Sequence, residues 1–580
     1  MAPGAGVGVL FVEPRRWFSL RELQVGADLA RLELCGEQLA LAGQLSQPLE
    51  LELSSGDRHW HWPLQPGEAG SWSFSGELAA AELGEELLLS LRRGSLVRPW
   101  VAIRVLRATP AELEQWRAFF AGAAGALPEP ELERISHCAL LGTNVQRGGD
   151  RPAAVAAFCG RAASQELVVE AAGLRHQGQF PSVLGQGPGR ILASRLVLNW
   201  NLLLVQEGEQ RFVVFQGVSS SDAVLLPGLN LLLLVCHLEA GTVRTCLAIL
   251  SRTPEFFRPS QPARFGGYLV GHSRPYHCFY DGLLALQAVR EAHQLTEDDG
   301  LYSKEGEAFV DLGRCLELAQ PHQQLSQEAL NAQTTANGTY LLQLGFWFHT
   351  RAEEPALRAL ADAVDGQLRD AARRESQLAA IGALEELEAC TPLIWVGITG
   401  QKRSWVEQVE GTAALLNALH AVYPRLGVIF DGWTPPLASS DYHRREARND
   451  DRVIRRILKR LNFKTRGKVG VVAGLPLLEK VRVGLGVDAF VANYTTGSLN
   501  VARICARPGV GHMGQRMAAS KHQHIHHHTR EIDPALVQDV SDPSTPTGYV
   551  NYSLPWEALY GALIATLEEH PPHNPKPVLP

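Results

Sequence analysis

The chain has no Cys-x-x-Cys pair. Its nine cysteines stand singly, at 35, 138, 159, 236, 246, 278, 315, 390 and 505, and their number is odd. That pattern argues against a disulfide framework and against a zinc module, and it fits reduced thiols in a cytoplasmic protein. A strong charge of one sign is also missing. The net charge of −7 over 580 residues is mild, which argues against a protein that coats nucleic acid. No apolar run reaches the ~20 residues of a membrane span. The most apolar stretch, DAVLLPGLNLLLLVCHL (222–238), holds Asp, Pro, Gly, Asn and His, and it reads as two buried strands with a turn at Pro227–Gly228. The first residues, MAPGAGVGVLFVEPRRW, lack the basic and apolar regions of a signal peptide. Absent too are a GxxxxGK[ST] loop, a GxGxxG after a strand, a GxSxG elbow and an HExxH pair. No Asp-x-Asp stands at a strand end; Glu297–Gly300 (EDDG) lies in a polar loop. That last absence favours chemistry without a bound metal or cofactor, with fixed positive charge in the metal's place.

What remains is an ordinary globular composition, 45% hydrophobic and 20% charged. The length predicts three or four domains of roughly 150 residues each. Residues 1–107 alternate apolar and polar positions between Gly and Pro, as in a β-sandwich. Trp60, Trp62, Trp72 and Phe74 read first as sandwich packing and second as a sugar-stacking platform. Residues 108–260 begin with a helical linker, Thr109 capping it and Glu112 three residues later. They continue as a β-rich region of unassigned role. There EAGT (239–242) is expected to join NLLLLVCHLE and TVRTCLAILS as a hairpin. From 261 onward short apolar runs alternate with helical patterns, which predicts parallel sheets covered on both faces. Two Rossmann-like halves fit, 261–390 and 391–580, with ligands at the carboxyl ends of strands.

Three strand ends hold candidate chemistry. In LIWVGITGQKRSW (393–405) a strand runs into Gly400, Lys402 and Arg403, either a surface basic pair or cations for a diphosphate. In DAFVANYTTGSLNVARICA (488–506) a strand runs into Asn493, Tyr494, Thr495, Thr496 and Gly497 and then a helix. This is either a well-capped turn or a phosphate site on helix amides. In GGYLVGHSRPYHCFYDGLLAL (266–286) the turn holds His272 and Arg274, and His277 and Asp281 open the next helix. His272 is the first choice as a general base, then Asp281, then His277, with Asp281 alternatively orienting a histidine. Arg274 is placed to meet a phosphate from the other half.

Two further clusters are basic. Residues 444–468 predict an amphipathic helix, with Arg452, Arg455, Arg456, Lys459 and Arg460 opposite Val453, Ile454, Ile457, Leu458 and Leu461. It reads as a solvated face first. The sharper readings are an anionic acceptor, partner docking, or peripheral contact with the inner face of a membrane. His522, His524, His526, His527 and His528 read as a polar or mobile loop before a metal site.

The segments GQKRSW (400–405), GLPLLEKVRVGLG (474–486), DAFVANYTTGSLN (488–500) and RPGVGHMG (507–514), in that order, resemble the heptosyltransferase-like (ADP-heptose:LPS heptosyltransferase) family. The resemblance covers about 391–515, within the C-terminal half. Asn493 stands where that family has an acidic residue, and Gly497-Ser498-Leu499-Asn500 replaces its Gly-Pro-x-His. The resemblance implies a GT-B glycosyltransferase of two Rossmann-like domains behind an all-β region, inverting and metal-independent. A nucleotide sugar would be the donor, and a glycan, lipid-linked or protein hydroxyl the acceptor. Alternatives are a non-catalytic GT-B-like binding or scaffold protein, and a sugar-nucleotide epimerase.

Overall fold

The structure is a computed structural model that describes residues 7–14, 27–35, 38–67, 71–79, 86–120, 143–146, 153–162, 164–236, 238–250, 253–346, 354–375, 386–387, 389–463, 468–494, 496–518, 523–541, 545 and 549–572. Thr495 and His522 lie outside the described residues. Among the described residues no helix is long and apolar enough to cross a membrane.

The N-terminal region is two antiparallel sheets. One runs in the order Val7–Pro14, Leu96–Ala108, Glu86–Arg93, Glu50–Ser55, Arg58–Trp62; the other runs Ala27–Cys35, Gln38–Leu45, Trp72–Ala79, Gln65–Pro66. Period-two alternation buries Leu51, Leu53, Leu87, Leu89 and Leu91 on one face. Trp60 and Trp62 stand opposite Leu53 and Leu51 in register, so their rings share that face. Trp62 meets the second sheet at Gly76, where a Cβ would lie 1.5 Å from the indole Nε1. Phe74 is buried as well. These aromatics pack the sheets together.

The linker helix Pro110–Phe120 starts as its sequence demands. Glu112 N–H donates to Thr109 Oγ1 (3.2 Å) and Thr109 N–H to Glu112 Oε2 (2.6 Å), a reciprocal cap. A seven-stranded sheet follows, antiparallel except where Asn144–Gln146 runs parallel to Leu231–Leu234. Ala223–Leu226 and Leu231–Leu234 are the two buried strands expected around Pro227. TVRTCLAILS is not the expected strand: Ala240–Leu250 is an α-helix that buries Val243, Cys246, Leu247 and Leu250. Two further helices, Ala153–Ala162 and Gln165–Gly173, cover the other face of this sheet.

The first parallel sheet has the strands β1 (Arg264–Leu269), β2 (Leu301–Lys304), β3 (His322–Leu325) and β4 (Thr339–Gln343), in the order β3-β2-β1-β4. Its helices include α1 (Leu283–Ala292) and α2 (Pro355–Glu375). The apolar core does not stop at residue 260. Phe158, Leu203 and Phe212 of the seven-stranded unit belong to one cluster with Tyr268, Leu286 and Leu342. A buried pair clamps the same junction: Arg175 donates from Nε and Nη2 to Asp299, each at 3.0 Å. Asp299 comes from the EDDG stretch.

The second parallel sheet has β5 (Leu393–Gly397), β6 (Gly427–Asp431), β7 (Val469–Val471), β8 (Ala489–Asn493), β9 (Pro508–His512) and β10 (His528–Glu531). All are parallel, in the order β7-β6-β5-β8-β9-β10. This is the doubly wound nucleotide-binding order, with its chain reversal between β5 and β8. Ile394, Val396, Val428, Phe430 and Val491 pack on α3 (Gln408–Val422), α4 (Asp441–Leu458) and α6 (Trp556–Glu569). Trp395, Ile429, Phe490 and Ala492 face the opposite side with α5 (Leu477–Gly484). Burial on both faces explains the unbroken apolar runs LIWV, GVIF and AFVA.

The two sheets join with their carboxyl edges facing. Leu437, in the loop after β6, donates its N–H to Ala308 O, in the loop after β2 (2.8 Å). Leu477, Val481, Leu499 and Ile504 from the second sheet's side share a core with Leu357, Leu360 and Val364 of α2. Arg503 and Asp365, both fully buried, pair across this seam (3.0 Å). The Arg503 guanidinium lies over the Tyr280 ring at 4.2 Å and donates to Phe279 O. Burial pushes the Asp365 carboxyl up and Arg503 opposes it. A buried pair costs most when one member is removed. Asp365→Ala is therefore expected to destabilise the protein by roughly 3–5 kcal/mol. Asp365→Leu combined with Arg503→Met should recover part of the loss, and calorimetric melting of the three proteins checks both statements.

Candidate active site

The β1 end carries the first group of candidates. Val270 leads into Gly271, whose φ is +137° and whose Cβ would lie 2.6 Å from Glu307 O, so only glycine fits this turn. Arg274 then caps a short helical turn, Pro275–His277, which passes into a π-helical turn, Cys278–Gly282, before α1. Such π-insertions concentrate at functional sites. Here the turn sets His277 Nδ1 2.7 Å from Asp281 Oδ2, with both side chains buried. A carboxylate at Nδ1 holds the N–H there and leaves Nε2 as the ring atom for proton transfer. The His272 ring lies 4.6 Å from that of His277. Its Nδ1 accepts the Arg274 N–H at 2.9 Å, so its neutral form carries the proton on Nε2. Asp281 thus takes the alternative position weighed for it, orienting a histidine, and that histidine is His277.

The β5 end carries the second group. The helix after it starts at Gln408. Residues 398–407 are a structured loop. Ile398, Thr399, Gly400, Ser404 and Val406 give their N–H groups to Asp431 O, Gln408 Oε1, Asp450 Oδ1, Asn551 Oδ1 and Tyr552 O. The Trp405 indole fills the space against Gly411, and its Nε1 donates to Leu554 O, which covers the amino end of α3. Gly400 gives its N–H to Asp450. A Cβ there would lie 2.5 Å from Asp450 Oδ1, so glycine admits that carboxylate. Gln401, Lys402 and Arg403 remain. Among the described residues their backbone N–H groups have no protein acceptor, and Arg403 is left-handed, with φ +54°. Consecutive free N–H groups in such a turn make an anion-binding concavity.

The β8 end differs from the expected phosphate-binding helix. Thr496–Ser498 is a 3-10 turn, and Leu499–Ile504 is a six-residue π-helical turn rather than an α-helix with a dipole. Asn493 is buried. Its Nδ2 donates to Arg403 O (2.9 Å) and the Tyr552 hydroxyl (2.8 Å), so it props the Lys402–Arg403 turn. Tyr494 is buried too, stacked on His526 at 3.7 Å. Gly497 is exposed, and its carbonyl approaches Gly397 across the chain reversal. Ser498 Oγ and His526 Nε2 are 2.9 Å apart.

Three cations from two sheets meet at this seam. Arg274 of the β1 turn repels both Lys402 and Arg403 of the β5 turn. With burial as the larger cause, that repulsion lowers the pKa of each of the latter two. Among the described residues none of the three makes an ion pair. Lys402 instead lies 4.5 Å from the centre of the half-exposed Tyr549 ring. Uncompensated cations brought together by tertiary structure form a site for a multivalent anion. Open grooves of about 590 Å³ beside Trp62 and about 440 Å³ beside Arg190 lie away from the seam, and none of these residues lines them.

The histidine-rich segment is a latch. Ile525 is buried in the core of the first parallel half, and its N–H donates to the Tyr280 hydroxyl (3.0 Å). The Tyr276 hydroxyl donates to Gln523 O (2.8 Å), and His524 packs against both tyrosines. Among the described residues no group of His, Cys, Asp and Glu is placed to hold a metal ion.

Four site residues escaped the sequence reading: Asp450, Lys480, Tyr549 and Tyr552. Lys480, fully buried, binds Asp431 Oδ1 (2.6 Å), Gly432 O, Trp433 O and Thr434 Oγ1, and so shapes the β6 loop. Asp450 joins that loop to the β5 turn by accepting the N–H groups of Trp433 (2.6 Å) and Gly400 (2.9 Å). Its place on the buried face of α4 was readable, since it stands four residues before Ile454. No protein-family model and no curated protein matches the sequence.

Burial raises the Asp450 pKa from 3.8 to about 6, against the pull of its two N–H partners. The folded protein then binds this proton more tightly than the unfolded chain. The resulting stability is complete below about pH 4 and is lost as pH rises through about 6. Asp450→Asn removes that dependence, at most on the order of 3 kcal/mol. Melting temperatures between pH 4 and 6.5 should therefore fall less steeply in Asp450→Asn than in the wild type.

Proposed function

We propose that the chain is a GT-B-like glycosyltransferase that moves a sugar from a nucleotide-diphosphate donor to an acceptor hydroxyl with inversion. One observation carries this reading: Arg274, three residues before His277 in the β1 turn, acts electrostatically on both Lys402 and Arg403 of the β5 turn, and His277 is paired with Asp281. The strand order of the second sheet and the free amides of Gln401–Arg403 support it.

The chemistry follows from charge. His277 Nε2 takes the acceptor's hydroxyl proton, and Asp281 stabilises the imidazolium that forms. The acceptor oxygen bonds to the anomeric carbon. The bond from that carbon to the diphosphate oxygen breaks, and its electron pair leaves with the nucleoside diphosphate. Lys402, Arg403 and Arg274 stabilise the charge that develops there. In this reading the diphosphate charge is met by side chains and one turn. α3 starts at Gln408 behind the Trp405 indole, and β8 is followed by a 3-10 turn and a π-helical turn rather than an α-helix.

Two experiments test the reading. In a thermal-shift screen of nucleoside diphosphates and their sugars, at least one compound should raise the melting temperature. Lys402→Ala and Arg274→Ala should each shrink that rise. A screen without any shift contradicts the reading. His277→Ala should leave the shift intact while lowering transfer by roughly 10²–10⁴-fold. An unchanged rate would remove His277 from the mechanism, and binding with no turnover in the wild type would indicate a non-catalytic module.

A further inference from the structure

The exposed side of α4 presents a second cationic surface, separate from the seam. Every one of the eight arginines and lysines from Arg444 to Arg460 is exposed. Two of the four acids from Asp441 to Asp451, Glu446 and Asp450, are buried instead. Ile454, Ile457 and Leu461 are buried with them. Asp441 and Asp451 temper the outer face by pairing with Arg444 and Arg455, Arg445 lies 3.7 Å from Glu446, and Arg460 reaches Glu410. Arg448, Arg452, Arg456 and Lys459 keep no carboxylate partner among the described residues. At 1.5 Å per residue the row from Arg444 to Arg456 runs about 18 Å along α4, with Lys459 and Arg460 in the turn beyond it, on a protein whose net charge is negative.

Two exposed apolar side chains stand at the start of the row. Leu437 and Tyr442 are 44% and 47% exposed, and the Arg445 guanidinium lies 5.4 Å from the Tyr442 ring centre. A straight row of arginines headed by a tyrosine and a leucine matches a flat anionic interface, where cations meet headgroups and amphipathic rings settle at the boundary. A nucleic acid would satisfy the charges but would leave the two apolar groups without a role. The apolar side of α4 is already used inside the protein, so this helix lies on a surface rather than inserting.

We infer that the outer face of α4 docks the protein onto an anionic lipid bilayer. Its buried side holds the β5 turn through Asp450 and Glu446, the latter accepting from Gln401 Nε2. Docking therefore sets the seam beside the bilayer surface, where an acceptor carried on a lipid would be presented.

The full chain is mixed with sedimenting vesicles of phosphatidylcholine alone, or with one-third phosphatidylglycerol, at 0.1 and 0.5 M salt. No sugar nucleotide is present, so the result is independent of transferase activity. Binding is expected only to the anionic vesicles, with release at high salt. Arg448→Glu/Arg452→Glu/Lys459→Glu should lower the partition coefficient by about a hundredfold. Its melting temperature should stay near the wild-type value, because all three residues are exposed. Equal binding to neutral vesicles, absent binding, or undiminished binding by the folded triple variant would each overturn the inference. So would displacement from the vesicles by a short RNA at equal phosphate concentration.

Discussion

Like charges repel, and the site at the seam exists because the fold overcomes that repulsion. Lys402 and Arg403 sit next to each other in one turn, Arg274 approaches from another sheet, and none is neutralised by a carboxylate among the described residues. Their cost is met elsewhere, by the shared apolar core of the two parallel halves and by the buried Arg503–Asp365 pair. A multivalent anion is the ligand that would turn the penalty into binding energy. Desolvation sharpens this, because partly buried cations are screened less by water and salt.

The supports of that turn act in layers. Asn493 holds the Arg403 carbonyl from below and is itself held by the Tyr552 hydroxyl, and Asp450 holds Gly400 from the side. Trp405 closes the space behind. Of these supports only Asp450 uses a backbone N–H, that of Gly400, and the N–H groups of Gln401–Arg403 keep no acceptor among the described residues. A single π-helical turn does comparable work on the other sheet, aligning His277 with Asp281 four residues on. The middle β-rich region is part of the same body. It shares the core of the first parallel half and donates Arg175 to Asp299.

Much of the fold was legible because burial on both faces leaves unbroken apolar runs, and three of them, LIWV, GVIF and AFVA, mark the centre of the second sheet. TVRTCLAILS misled because short apolar runs suit either period. Yet Val243, Cys246, Leu247 and Leu250 already fall three, four and seven apart, as a helix requires. Arg274, Lys402 and Arg403 were legible as cations at strand ends, where ligands of parallel sheets gather. The roles of Gly400, Asn493 and Tyr494 were not, since each spends its contacts on partners distant in sequence. Nor does composition reveal the extra residue that turns LNVARI into a π-turn.

The central claim is that a diphosphate is held between Arg274 on one side and the Lys402–Arg403 turn on the other. A crystal structure with a bound nucleotide sugar tests this most directly. The account predicts phosphate oxygens within hydrogen-bonding distance of all three side chains and of at least one N–H among Gln401–Arg403. A nucleotide bound elsewhere, with these cations still facing solvent or one another, would contradict it.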